Sequence, residues 1–214
     1  MKVLALVPTK DGLMHSEALQ ALYGQKYADY SAMIHTLRPI ELHSDRYKNK
    51  SLNILRNRNI MRDIALGSDA EWFFWVDSDT VVPENAIEEF LKVGKPLMGG
   101  WYPVVLNKNW VAAKWTQDGK LGHFSQSLPG ITEVDMLGLG CAFMHRSVLE
   151  KIPFTAGTDE HVIGLDGAEY YMGQCATFCR DAQKEGIKPS LLGSIICKHY
   201  PTGAPPILRG TSHI

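Results

Sequence analysis

Trp72-Phe73-Phe74-Trp75-Val76-Asp77-Ser78-Asp79 is the stretch on which the fold turns. Residues 71–76 hold five apolar side chains in six, without the alternation of a strand wetted on one face. The run is too short to cross a membrane or form an ordinary helix, so it predicts a strand buried on both sides, as in the middle of a parallel sheet. Ligands of such sheets bind where strands end and the chain turns outward. Asp77 and Asp79 fall at that end. Two residues apart on extended backbone, their carboxylates point to the same side and can converge on one hard divalent cation. The plain alternative is that one of them caps the next helix.

On the N-terminal side, residues 2–8 predict a buried first strand, residues 9–12 a turn, residues 16–25 a helix and residues 30–36 a second strand. Ser51 is the expected N-cap of a helix ending at Gly67. On the C-terminal side, Pro83 suits the first position of a helix over 83–93, with Glu84 at the positive end of its dipole. Strands and turns are expected over 96–101, 110–115, 119–124, 131–136 and 141–145, a helix over 168–185 stopped by Gly186, and a last strand over 191–199. Alternating strands and helices predict an α/β fold: one Rossmann-like, mostly parallel sheet flanked by helices. Residues 1–200 form its single domain, and residues 201–214, with Pro201, Gly203, Pro205 and Pro206, a tail.

Composition agrees. The 214 residues are 45% hydrophobic and 21% charged with mean hydropathy −0.13, which excludes a disordered or coiled-coil chain. No secretory signal or membrane span is expected, and four cysteines without disulfide spacing suit a reducing compartment, the cytoplasm by default. With 22 Lys and Arg against 23 Asp and Glu, no global field draws the protein to nucleic acid or membrane. Charge is nonetheless segregated: residues 46–62 carry six basic side chains and no acid, residues 69–89 seven acids and no Lys or Arg. Two solvated faces explain this, and so does a site for a metal-bound anion.

Arg58 sharpens the second reading. By helical spacing it interrupts the apolar stripe of Ile54, Met61 and Ala65, with Asn57 at the margin. It either snorkels from the rim of the core or presents a fixed fork to a phosphate or carboxylate. A competing metal reading groups Cys175, Cys179, Cys197 and His199 as a zinc site.

Taken in order, the motifs resemble those of compact A-type nucleotide-diphospho-sugar glycosyltransferases of phage and microbial type. Val7-Pro8-Thr9 ends the first strand, and Asn57-Arg58-Asn59 is similar to an "ARN" helix with Asn57 in place of alanine. Phe73 to Asp79 corresponds to the Asp-x-Asp strand, and residues 133–144, containing Gly138-Leu139-Gly140, to an acceptor-side glycine motif. Phe178-Cys179-Arg180-Asp181-Ala182 with Gly186 resembles an "FCRRA…G" helix, and Lys198-His199 a late histidine.

The resemblance implies that Asp79 and His199 hold Mn²⁺ or Mg²⁺, with manganese favoured by the imidazole. Asp77 touches the ribose or a metal-bound water, within the Asp77-Ser78-Asp79 motif that binds the nucleotide. Pro8, Thr9 and Asp11 border the base, and Arg58 lies near the donor, a nucleoside-diphosphate sugar. One departure stands out. Inverting members have Glu-Asp where this chain has Gln174-Cys175, which leaves Glu169, Asp166 or Asp135 to deprotonate the acceptor, in that order of preference. The alternatives are a retaining enzyme or a sugar-nucleotide-binding module that catalyses nothing. A nucleotidyltransferase fits less well, because Pro8-Thr9-Lys10-Asp11-Gly12 is a poor Gly-rich phosphate loop. The acceptor stays open, and a modified DNA base is allowed by the basic segment but not favoured by net charge.

Overall fold

The computed structural model describes residues 1–9, 13–36, 46–103, 110–164, 167 and 169–200. The first half is a parallel sheet with crossovers: β1 (Val3–Thr9), α1 (Ser16–Tyr23), β2 (Tyr30–Thr36), α2 (Arg46–Leu66) and β3 (Trp72–Val76). β1 lies between the other two, pairing Val3 with Tyr30 on one side and with Trp72 on the other. Next come β4 (Thr80–Val81), α3 (Ala86–Val93), β5 (Leu97–Trp101), β6 (Ala113–Trp115), β7 (Leu121–His123), β8 (Ile131–Glu133) and β9 (Cys141–His145). The chain continues through α4 (Arg146–Lys151), β10 (Gly157–Ile163), β11 (Glu169–Met172), α5 (Gln174–Lys184), β12 (Ser190–Ile196) and β13 (Lys198–His199).

Seven strands make the main sheet in the order β2-β1-β3-β9-β5-β12-β8. Five run in one direction; β9 and β8 oppose their neighbours. The expected α/β architecture is present. β3 is buried throughout, and its residues divide by parity: Phe73 and Trp75 pack on one side with Met61, Ala65 and Phe178, while Trp72, Phe74 and Val76 pack on the other with Leu22, Phe90 and Phe143. That two-sided burial is why the strand shows no hydrophobic alternation. Each such side chain contributes about 1.5–3 kcal/mol of transfer free energy. Arg146 fixes the approach to β3 by donating to the carbonyls of Leu66, Ser68 and Ala70.

Several expected boundaries move. α2 begins at Arg46, so Ser51 lies inside the helix and not at its N-cap position. α3 begins at Ala86, three residues after Pro83, whose carbonyl accepts the Ala86 N–H at 3.1 Å. The expected helix over 168–185 starts only at Gln174; the aromatic residues before it form β11, paired with β10 in a separate two-stranded sheet. The last strand breaks after Ile196, and Lys198-His199 turns away to pair with Val81 and Thr80. The tail over 201–214 lies outside the described residues. Among the described residues no helix is long and apolar enough to cross a membrane.

Candidate functional site

Beyond β3 the backbone is pinned from two directions. Asp77 donates its N–H to Gly140 O at 3.0 Å and accepts the Thr80 N–H at 3.0 Å, a tight turn holding Asp77-Ser78-Asp79 at the sheet's edge. The Ser78 carbonyl accepts from His15 N–H at 2.9 Å. The two carboxylates then part. Asp77 Oδ1 meets Arg58 Nη2 at 3.4 Å, while Asp79 Oδ1 lies 3.6 Å from His199 Nε2.

Arg58 is buried at 4% exposure, so it does not snorkel. Burial disfavours its charge, but Cys175 and Asp77 outweigh that and keep the guanidinium firmly protonated. About a third (36%) of the Asp77 side chain reaches solvent, yet protein crowds it closely. Desolvation lifts its carboxyl above the usual range against the pull of Arg58, and Asp79 adds to the rise.

His199 comes to this edge because β13 pairs with β4, the two residues that follow Asp79. Tyr200 N–H donates to Asp79 O at 2.8 Å and completes the register. His199 Nδ1 is 3.1 Å from the Pro103 carbonyl; a carbonyl only accepts, so Nδ1 carries hydrogen. In the neutral ring Nε2 is then a lone pair facing a carboxylate, an arrangement that either a proton on Nε2 or a bound cation satisfies. Burial opposes the imidazolium, but Asp79 and the Pro103 carbonyl prevail and raise the His199 pKa. A carboxylate opposite an imidazole whose far nitrogen is anchored on a backbone carbonyl suits a divalent metal. Among the described residues no third His, Cys, Asp or Glu joins them in a cluster.

The glycine motif is a packing requirement. A Cβ at Gly140 would lie 2.8 Å from both Asp77 Oδ2 and Tyr102 Oη, and one at Gly138 would lie 2.1 Å from Val111 and 2.3 Å from Tyr102 Oη. Tyr102, which sequence reasoning missed, is buried and its hydroxyl accepts the Gly140 N–H at 3.0 Å. Only its position shortly after a buried strand hinted at this.

Near the other predicted residues, Pro8 is half-buried and pairs with His35, and Thr9 is buried with Oγ1 at 2.9 Å from Thr36 Oγ1. Asn57 spans both strand ends, with Nδ2 3.4 Å from Thr9 O and Oδ1 2.7 Å from His35 Nδ1. Cys175, in the first turn of α5, accepts from Arg58 Nη1 at 3.6 Å, and Gln174 is buried with Oε1 lacking a partner among the described residues. Of the two positions that depart from the expected pattern, Cys175 therefore meets Arg58. Asp135 Oδ2 accepts the Trp115 N–H at 2.8 Å, and Glu169 is exposed on β11, 3.1 Å from His161. Asp11 and Asp166 lie outside the described residues. The zinc grouping does not form: Cys179 bonds to Leu137, Cys175 to Arg58, and Cys197 to Cys141.

Solved structures share this fold. A197 from STIV is 18% identical over 94% of this chain and 86% of its own, with TM-score 0.63. TarS 1-349 from S. aureus, solved also with UDP and with UDP-GlcNAc, is 13% identical over 92% of this chain and 60% of its own, with TM-score 0.52. GalNAc-T7 with UDP, GalNAc and Mn²⁺ is 10% identical over 99% of this chain and 46% of its own, with TM-score 0.61. The chain has the A-type glycosyltransferase fold. It spans less than two thirds of the TarS and GalNAc-T7 chains. No family model and no curated protein sequence matches it. Within the A-type fold, its Asp-x-Asp turn and late histidine stand at the carboxyl end of β3, where an open sheet takes its ligand.

Proposed function

We propose that this protein is a metal-dependent glycosyltransferase that moves a sugar from a nucleoside-diphosphate sugar to an acceptor. The observation that carries the reading is the approach of His199 Nε2 to Asp79 Oδ1 at 3.6 Å, with His199 Nδ1 anchored on Pro103 O. Asp79 and His199 hold Mn²⁺, or Mg²⁺ with less preference. When bound, the metal supplies positive charge to the diphosphate leaving group as the bond to the sugar breaks.

Asp77, kept in place by Arg58 and the Gly140 carbonyl, orients the ribose or a water bound to the metal. Pro8, Thr9 and Asp11 border the base, and Ser78 belongs to the Asp77-Ser78-Asp79 motif that binds the nucleotide. Glu169, Asp166 and Asp135 are the candidate bases; Asp135 accepts the Trp115 N–H through Oδ2. UDP, UDP-GlcNAc and Mn²⁺ in the similar structures support the donor class.

Cys175 favours a second reading, a module that binds the donor without transferring it, because position 175 offers a thiol where inverting members have a carboxylate. Calorimetry with UDP and GDP, with and without Mn²⁺, followed by hydrolysis assays on a panel of nucleoside-diphosphate sugars, tests both. Binding that requires metal with turnover supports the transferase, and binding without turnover supports the module. Equal affinity in EDTA and in manganese removes the metal from the scheme.

A further inference from the structure

Tyr102, the first residue after β5, reaches both arms of the candidate site. It is 6% exposed, and its hydroxyl accepts the Gly140 N–H at 3.0 Å. The carbonyl of that same glycine accepts the Asp77 N–H at 3.0 Å. A single residue of backbone therefore joins the phenol to the carboxylate turn: Gly140 gives its hydrogen to Tyr102 and its oxygen to Asp77. The two glycines of the motif make room for this. A Cβ at Gly138 would overlap Tyr102 Oη, and one at Gly140 would lie 2.8 Å from Oη and 2.8 Å from Asp77 Oδ2. Gly138 and Gly140 are thus the seat of a hydroxyl.

The second arm ends at His199. The Tyr102 ring lies edge-on to the imidazole, with centroids 5.5 Å apart and planes at 60°. The next carbonyl along the chain, Pro103 O, stands 3.1 Å from His199 Nδ1. Ring and carbonyl together brace a histidine carried by the two-residue strand β13. Different parts of one side chain serve the two arms: the hydroxyl steadies Asp77 through Gly140, and the ring meets His199 directly.

We propose that Tyr102 is a positioning residue that sets Asp77 and His199 relative to each other, so that the nucleotide side and the metal side of the donor site share one support. The step rests on the donor reading above. Removing the hydroxyl alone disturbs the Asp77 arm and spares the His199 arm, a division that general loosening of the core does not produce.

Two substitutions separate the arms in the intact protein. Tyr102→Phe deletes the hydroxyl and keeps the ring; Tyr102→Leu deletes both. Amide hydrogen exchange in the ligand-free chain reads the backbone. In Tyr102→Phe the Gly140 and Asp77 amides should exchange about tenfold faster, while the Tyr200 amide, bonded to Asp79 O at 2.8 Å beside His199, keeps its wild-type rate. In Tyr102→Leu the Tyr200 amide should exchange faster as well. Calorimetry with UDP and GDP in Mn²⁺ should show Tyr102→Phe binding the preferred nucleotide about fivefold more weakly than wild type, the effect of one weakened hydrogen bond. A wild-type rate at Asp77 in Tyr102→Phe, or equal acceleration at Asp77 and Tyr200, overturns the proposal. Wild-type nucleotide affinity in that variant also overturns it and leaves the transferase reading standing. Failure of the wild-type chain to bind either nucleotide overturns both. If Tyr102→Leu does not fold, Tyr102→Phe decides alone.

Discussion

Arg58 holds Nη2 3.4 Å from Oδ1 of Asp77, so a buried cation on α2 and a carboxylate beyond β3 are locked together across the helix–sheet boundary. Severing the pair from the α2 side strands a carboxyl that already resists ionisation. Arg58→Met should cost about 1–3 kcal/mol, kept modest because Asp77 retains some contact with water. Urea unfolding of Arg58→Met, Asp77→Asn and the double variant checks this; the double should lose clearly less than the sum of the singles, and strict additivity would show that the two groups do not interact.

Asp79→Asn and His199→Ala should each lower metal-dependent UDP affinity by more than tenfold, at least about 1.4 kcal/mol, whereas Asp77→Asn should lower it less. Titrations with Mn²⁺ in excess and in EDTA give the order, and a larger loss in Asp77→Asn would exchange the roles of the two carboxylates.

General-base assistance is worth ~10²- to 10⁴-fold in rate. Among Glu169→Gln, Asp166→Asn and Asp135→Asn, one should slow transfer by that factor with donor affinity unchanged. Asp135→Asn keeps an oxygen for the Trp115 N–H, so its folding is preserved and single-turnover rates report chemistry. Wild-type rates in all three would point to retention of configuration, visible in the product anomer.

Gly140→Ala places a methyl group 2.8 Å from Asp77 Oδ2 and from Tyr102 Oη. Overpacking of this kind costs about 1–3 kcal/mol, or about 2–10 °C in melting temperature at this chain length. Thermal melts with and without UDP and Mn²⁺ should show a weaker ligand-induced shift as well, since Asp77 itself must move.

Cys179 is fully buried and its thiol is pushed up to about 12, while burial and the neighbouring Cys141 raise that of Cys197 well above the ordinary range. A thiol must ionise to be alkylated. At pH 8 the native protein should take iodoacetamide at the half-buried Cys175 only, and all four cysteines should react in guanidinium. Peptide mapping decides, and rapid native labelling of Cys179 would contradict the packing.

The sequence revealed β3 and its carboxylates because continuous burial leaves an unmistakable apolar run, and it exposed Arg58 because a charge inside a helical stripe is conspicuous. The early start of α2 was hidden in the polar run at residues 46–50, which offers no apolar periodicity. α4 is only six residues long, too short to show a helical period. β11 was absorbed into a helix because Tyr170 and Tyr171 suit either state until β10 supplies a partner. Tyr102 and the Asn57–His35 contact were unreadable for another reason: each depends on residues distant in the chain, and hydrogen-bond partners carry no local signature.

β13 has one further consequence. It contributes two residues and, among the described residues, pairs with β4 alone, outside the seven-stranded sheet. The large sheet is therefore complete without it, and so short a pairing belongs to the least protected class of structure. Fastening His199 is therefore expected to be separable from formation of the main sheet, like a clasp on a box already built. If His199 and Asp79 share a ligand as proposed, its binding should slow hydrogen exchange in this short strand, so that occupancy of the site and order in β13 rise and fall together.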